Sequence, residues 1–244
     1  MKKLDILYVV GDGSLYDDAE LRYSLRSIEK NCEGFGRVFI VGKLPKFVKN
    51  VVHIPCDDPY DEAHKNIAYK IAHAVHNSDL SEDFAVLSDD HFYVKPYDFR
   101  TIAPYCKGDL PVDAKNKSGY WQSLTDTRRW LTAHGYPAKN GSQHCGHWYK
   151  RSLFLQVEKE MLAPGYDFAH GIEPHSVMLN AMRLYLDIKP VERKDIKIIE
   201  FKDTADLKAQ IGGAFCFSIS DSAMACGLKR ILGRWYPKKS RWEK

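Results

Sequence analysis

Apolar positions along the chain change period several times, and each change marks an element. Residues 5–10 read DILYVV, an apolar, β-rich run that ends in Gly11-Asp12-Gly13, which predicts a buried strand entering a turn. Helical spacing comes next. Asp17 with Glu20 three residues on has the form of a capping box, and Leu21, Leu25 and Ile28 share one face of the helix expected to run to Asn31. Two more strands are predicted at 37–41 (RVFIV) and 51–55 (VVHIP), and a second helix over 62–76, where Ile67, Ile71, Ala74 and Val75 line up. Residues 84–87 (FAVL) are apolar throughout, as in an interior strand covered on both faces, and run straight into Ser88-Asp89-Asp90-His91. The second half predicts helices at 123–133, 151–160 and 174–185, a polar loop at 135–146, and strands at 196–201 and 214–219. Strands alternating with helices argue for one α/β domain with a mostly parallel sheet, Rossmann-like in plan, whose ligands bind outside the carboxyl ends of its strands.

Bulk composition narrows the class. A chain of 244 residues with 44% hydrophobic content suits one core, which we place at 1–228, followed by a tail at 229–244. Six cysteines without a C-x-x-C pair argue against a disulfide framework or a zinc ribbon, and point to the reducing cytoplasm. No apolar run approaches the roughly 20 residues that span a bilayer, and Lys2 and Lys3 precede no signal-like stretch. Net charge is only +4, but the tail concentrates seven Lys or Arg against Glu243, interleaved with Trp235, Tyr236 and Trp242. It reads as a solvated tail, as a surface that tracks a phosphate backbone, or as a flap over a charged donor.

Chemistry gathers at Asp89 and Asp90. Adjacent carboxylates ending a buried strand are costly unless a cation compensates them, and hard cations such as Mn²⁺ or Mg²⁺ bridge carboxylates to substrate phosphates. Arg22 and Arg26 lie one helical turn apart and fit a diphosphate, or else pair with Asp18 and Glu29. Gly11, Asp12 and Gly13 would let a nucleotide approach the backbone, with Asp12 accepting from base or ribose, although a plain turn has the same sequence; Lys65 and Asn66 at the start of the second helix are similarly placed, with ordinary helix surface as the alternative. His147 is a loop histidine suited to a donor phosphate or the cation; Glu173 and Asp221 are suited to general base or to helix capping, and His170 and His175 are further candidates. His144, Cys145 and His147 lack a fourth ligand for zinc.

The blocks at 5–14 (DILYVVGDGS), 21–30 (LRYSLRSIEK), 37–46 (RVFIVGKLPK) and 80–92 (LSEDFAVLSDDHF) resemble those of the Stealth family, with weaker echoes at 144–154, 173–178 and 218–221. Ser88 stands where that family has Asn. Small phage and bacterial glycosyltransferases, some ending like residues 236–243 (YPKKSRWE), are similar in size. Both resemblances imply a GT-A-like core, and the first implies a site drawn from Asp12, Arg22, Arg26, Asp89, Asp90 and the later histidines. The expected activity is metal-dependent transfer of a sugar from a nucleotide-sugar donor, a UDP-sugar foremost, to a hydroxyl of a glycan or a modified nucleic acid. Sugar 1-phosphate transfer of the Stealth type and a noncatalytic nucleic-acid-binding module are the alternatives.

Overall fold

The apolar run at residues 5–10 becomes the middle strand of the central sheet. In the computed structural model, which describes residues 4–161 and 170–244 and so leaves Lys2 and Lys3 outside, the first half contains β1 (Leu4–Val10), α1 (Ala19–Asn31), β2 (Cys32–Glu33), β3 (Phe35–Gly42), β4 (Val52–Ile54), α2 (Ala63–Asn77) and β5 (Asp83–Ser88). Short strands β6 (Phe92–Tyr93), β7 (Tyr97–Asp98) and β8 (Tyr105–Cys106) come after it, then α3 (Gly119–Ala133), β9 (His147–Lys150), α4 (Arg151–Met161) and α5 (Pro174–Leu186). The chain closes through β10 (Val191–Glu192), β11 (Lys197–Ile198), α6 (Thr204–Ile211), β12 (Cys216–Ile219), α7 (Asp221–Ala225) and α8 (Leu228–Trp235).

The sheet order is β4-β3-β1-β5-β9, parallel except for β9, which runs antiparallel to β5. Side chains of β1 alternate between two covered faces. Leu7 joins Phe39, Phe84, Val86 and the α2 residues Ile71, Ala74 and Val75, whereas Ile6 and Tyr8 join Leu87 and the α1 residues Leu21, Leu25 and Ile28. A third cluster lies under the small sheet β11-β12-β6 and helices α6 to α8.

Two local expectations are corrected. The capping box does not form: α1 starts at Ala19, Asp17 and Asp18 hold φ of 55° and 54°, and the Asp18 side chain caps nothing. Ser14 organises that turn instead, its hydroxyl accepting from the Asp18 N–H (3.0 Å) and donating to the Glu20 carboxylate (2.9 Å). Nor does the segment after α8 hang free, although Pro237, Lys238, Lys239, Arg241 and Lys244 face solvent. Tyr236, Ser240, Trp242 and Glu243 are all buried, and the chain end returns along α1 and the β3–β4 connection, where the Lys244 N–H donates to the Phe47 carbonyl at 2.8 Å. Among the described residues, no helix is long and apolar enough to cross a membrane, and all six cysteines are free.

Candidate active site

Because β3 and β4 extend the sheet on one side of β1 and β5 on the other, the chain reverses its direction of travel between β1 and β5. In open α/β sheets ligands bind at such switch points, beyond the strands' carboxyl ends. Val9 pairs with Ser88, so the Gly11 loop and Asp89 emerge side by side. Helix α1 pins the segment on the far side of the two aspartates. The Ser24 hydroxyl donates to the His91 carbonyl (2.6 Å), Ser27 accepts from the Tyr93 N–H (3.0 Å), and the Asn31 amide donates to the Tyr93 carbonyl (2.6 Å). From below, the buried Lys70 ammonium donates to the Val10 carbonyl (2.9 Å) and pairs with Asp58 (2.6 Å), steadying the end of β1.

Two clefts open here. The first, of about 420 Å³, is lined by Gly11, Gly13 and Ser14 together with the acids Glu20, Asp89, Asp90 and Asp221. A Cβ placed on Gly13 would meet nothing within 4 Å, so backbone and ligand can approach closely there. Burial, and then the charges of Asp90 and Glu20, push the Asp89 carboxyl up to about 7. Asp90 is also raised, chiefly by burial, with His144 and Lys197 opposing. Among the described residues Asp89 has no ion pair, and the nearest basic group to Asp90 is the His91 ring at 3.8 Å. Burial and the neighbouring histidines hold His91 well below the usual histidine range, so that ring is neutral near pH 7 and does not compensate the carboxylates. Two uncompensated oxygen donors fit a hard divalent cation. Among the described residues no group of three or more His, Cys, Asp or Glu is arranged around a metal position, so the other ligands would come from substrate and water, as magnesium-type sites allow.

The second cleft, of about 440 Å³, is lined by histidines: His64, His91, His144, His147 and His175, with Glu173 at its edge. His147 and His175 stack with ring centroids 3.5 Å apart, and the Tyr149 hydroxyl meets His175 Nδ1 at 3.1 Å. Burial lowers both rings, His175 to about 3, so they act as neutral hydrogen-bonding groups rather than cations. Asp195 fixes His144 by accepting from its backbone N–H (2.7 Å) and meeting Nδ1 (2.6 Å). Glu173 caps α5 by accepting from the Ser176 N–H (2.6 Å), while burial raises its carboxyl. Gln143 lines the same cleft with its Oε1 buried and unpartnered among the described residues. Asp90 and Lys197 border both clefts and join them.

Of the residues singled out in the sequence, Gly11, Gly13, Asp89, Asp90, Asp221, His147, Glu173 and His175 therefore face the clefts. Asp12 is exposed and outside both linings. Arg22 and Arg26 are not there either. They grip the buried Glu243 carboxylate at 3.0 and 2.7 Å, with Arg22 over the Phe47 ring, and the alternative pairs with Asp18 and Glu29 do not form, because those acids hold Lys43 and Arg241. Lys65 lies against a separate apolar groove, and the Asn66 amide is tied to the Tyr60 backbone, so both belong to the surface of α2. His170 meets Glu62 at 3.2 Å, away from both linings. Glu20, Gln143, Asp195 and Lys197 belong to the site without having stood out in the sequence. Glu20 was absorbed into a capping pattern, and a lone lysine opening a two-residue strand carries no signal.

The fold has known counterparts. No protein-family model matches the chain, and no curated protein matches it. Among solved structures, the galactosyltransferase LgtC in complex with donor and acceptor sugar analogs superposes over 98% of both chains, with a TM-score of 0.50 and 10% identity. This is a GT-A-like fold. A structure of an active-site mutant of LgtC covers the same shares, with a TM-score of 0.48 and 11% identity. At such identities the likeness speaks for the fold alone.

Proposed function

We propose that the chain is a divalent-cation-dependent glycosyltransferase that moves a sugar from a nucleotide-sugar donor, a UDP-sugar foremost, to a hydroxyl of a glycan acceptor. The observation that carries this reading is that two clefts of different chemistry meet at one carboxylate, Asp90, and at Lys197, a lysine unpaired among the described residues. The nucleotide is assigned to the cleft beneath the open Gly13 backbone, its phosphates toward Lys197 and the Asp89/Asp90 pair. A cation held by those two carboxylates supplies charge neutralisation for the departing phosphate. The acceptor is assigned to the histidine cleft, where neutral His147 and His175 hydrogen-bond hydroxyl groups. There the bond from the anomeric carbon to phosphate oxygen breaks and a bond to the acceptor oxygen forms. Glu173, raised by burial, is the carboxylate on that side to take the hydroxyl proton.

The blocks that resemble the Stealth family support a second reading, cleavage of the phosphoanhydride with transfer of the sugar 1-phosphate. Product mass decides between them. Incubation with a panel of nucleotide sugars and Mn²⁺ should add a hexose-type mass without phosphate to the acceptor, and Asp90→Ala should abolish the addition. A product carrying phosphate would move the assignment to the second reading, and undiminished turnover by Asp90→Ala would overturn both.

A further inference from the structure

The basic segment singled out in the sequence is not explained by the clefts above. Its first part, Arg234, Trp235 and Tyr236 at the end of α8, walls a third cavity, of about 570 Å³, against the end of α1, the turn after β6 and α6. Lys30, Lys95, Lys208 and Arg234 reach it from those four elements, Trp235 lies along it, and no acidic residue lines it among the described residues. Lys30 and Lys95 donate to the carbonyls of Trp235 (2.9 Å) and Gly213 (2.7 Å), which orders them without neutralising them. Lys208 and Arg234 are exposed and unpaired among the described residues. The acid of the segment, Glu243, is already matched by Arg22 and Arg26. Burial of the remaining apolar residues decides what kind of anion fits. Tyr236 and Trp242 are 3% and 4% exposed, so they offer no platform for successive nucleic-acid bases, and Leu228, Ile231 and Leu232 are buried, so none is free to enter a bilayer. The result is a concave, cationic, sugar-sized groove with one half-buried indole.

We propose that this groove binds an anionic glycan, one bearing carboxylate or phosphate groups, as a docking site for the acceptor polymer. This rests on the glycosyltransferase reading. Ten residues of α1 separate Glu20, in the donor cleft, from Lys30 here, about 15 Å at the helical rise, and that cleft meets the acceptor cleft at Asp90 and Lys197, so a polymer docked here whose free end reaches that boundary raises its own effective concentration at the acceptor cleft. The test is calorimetric binding to the full chain of an oligogalacturonate, a phosphate-bearing mannan oligomer, a neutral dextran oligomer, an oligothymidylate, and phosphatidylglycerol vesicles. At least one acidic oligosaccharide should bind, the neutral one should not, and Lys208→Glu/Arg234→Glu should weaken binding about tenfold or more while melting like the parent. Whichever acidic probe binds more tightly identifies the charged group. Unchanged binding by the double variant, failure of both acidic probes, or tighter binding of the oligothymidylate or the vesicles overturns the proposal. Donor hydrolysis, followed separately, should be unaffected by the double variant. If no donor is turned over while acidic binding persists, it is the transferase reading that fails and not the groove.

Discussion

At the scale of single residues, the clefts are set by charges left uncompensated. Asp89 and Asp90 end a strand whose neighbours are apolar, and no arginine or lysine bonds to either among the described residues. Removing Asp90 leaves one carboxylate where the proposed cation needs two, so Asp90→Ala should reduce donor turnover by at least about a hundredfold, a few kcal/mol of lost charge stabilisation, with the melting temperature preserved. Lys197 offers an ammonium to both clefts, and Lys197→Ala should raise the KM for donor about tenfold with a smaller effect on kcat, read from initial rates. Asp89 makes a pH prediction whose sign is fixed. A carboxyl raised from 3.8 to about 7 on folding favours the protonated form, so its contribution to stability is full below 3.8 and is lost as pH rises toward 7. A cation competes with that proton. Mn²⁺ should therefore raise the melting temperature more at pH 8 than at pH 5, and Asp89→Asn should flatten the difference; a cation effect independent of pH would contradict the assignment.

At the scale of elements, helix α1 shows what the LRYSLRSIEK block does. Leu21, Leu25 and Ile28 fill the core, Ser24 and Ser27 bond the segment beyond the aspartates, and Arg22 and Arg26 clasp the chain end. The block holds the site without touching it. Burial works to raise the Glu243 carboxyl, whose side chain has no exposed surface, but the hydrogen bonds from Arg26, the Ser240 N–H and Arg22 outweigh it and pull the group down to about 2. Its stabilisation is present above 4.5 and lost as pH falls toward 2. Glu243→Gln should cost roughly 2 kcal/mol at neutral pH and shrink the loss between pH 4.5 and 2, as followed by denaturant titration. The central strands and long helices were legible because burial on both faces, or on one stripe, imposes a period on the side chains. Strand β9 was not. HWYK is four residues long, mixes polar and aromatic types, and owes its place to pairing with β5. The same holds for the two-residue strands, which exist only through their partners.

At the scale of the whole molecule, topology assembles a site that no local pattern announces. The Asp pair was readable because a strand ending in adjacent carboxylates is conspicuous in a line of text. That Lys197 stands beside Asp90, or that five histidines spread from His64 to His175 line one cavity, depends on the β1/β5 switch point and on β11 pairing with β12. The arginine pair misled for the opposite reason: its helical spacing is correct, but its partner, Glu243, lies more than two hundred positions away. Function, in the reading proposed above, depends on the two clefts meeting at a carboxylate-held cation that grips a donor's phosphates. That cation is probed most simply by isothermal titration of the chain with UDP-sugars in the presence and absence of Mn²⁺, repeated on Asp90→Ala. At least one donor should bind, more tightly with Mn²⁺ in the parent and with no response to Mn²⁺ in the variant; donor binding indifferent to both the cation and the substitution would refute the shared cation.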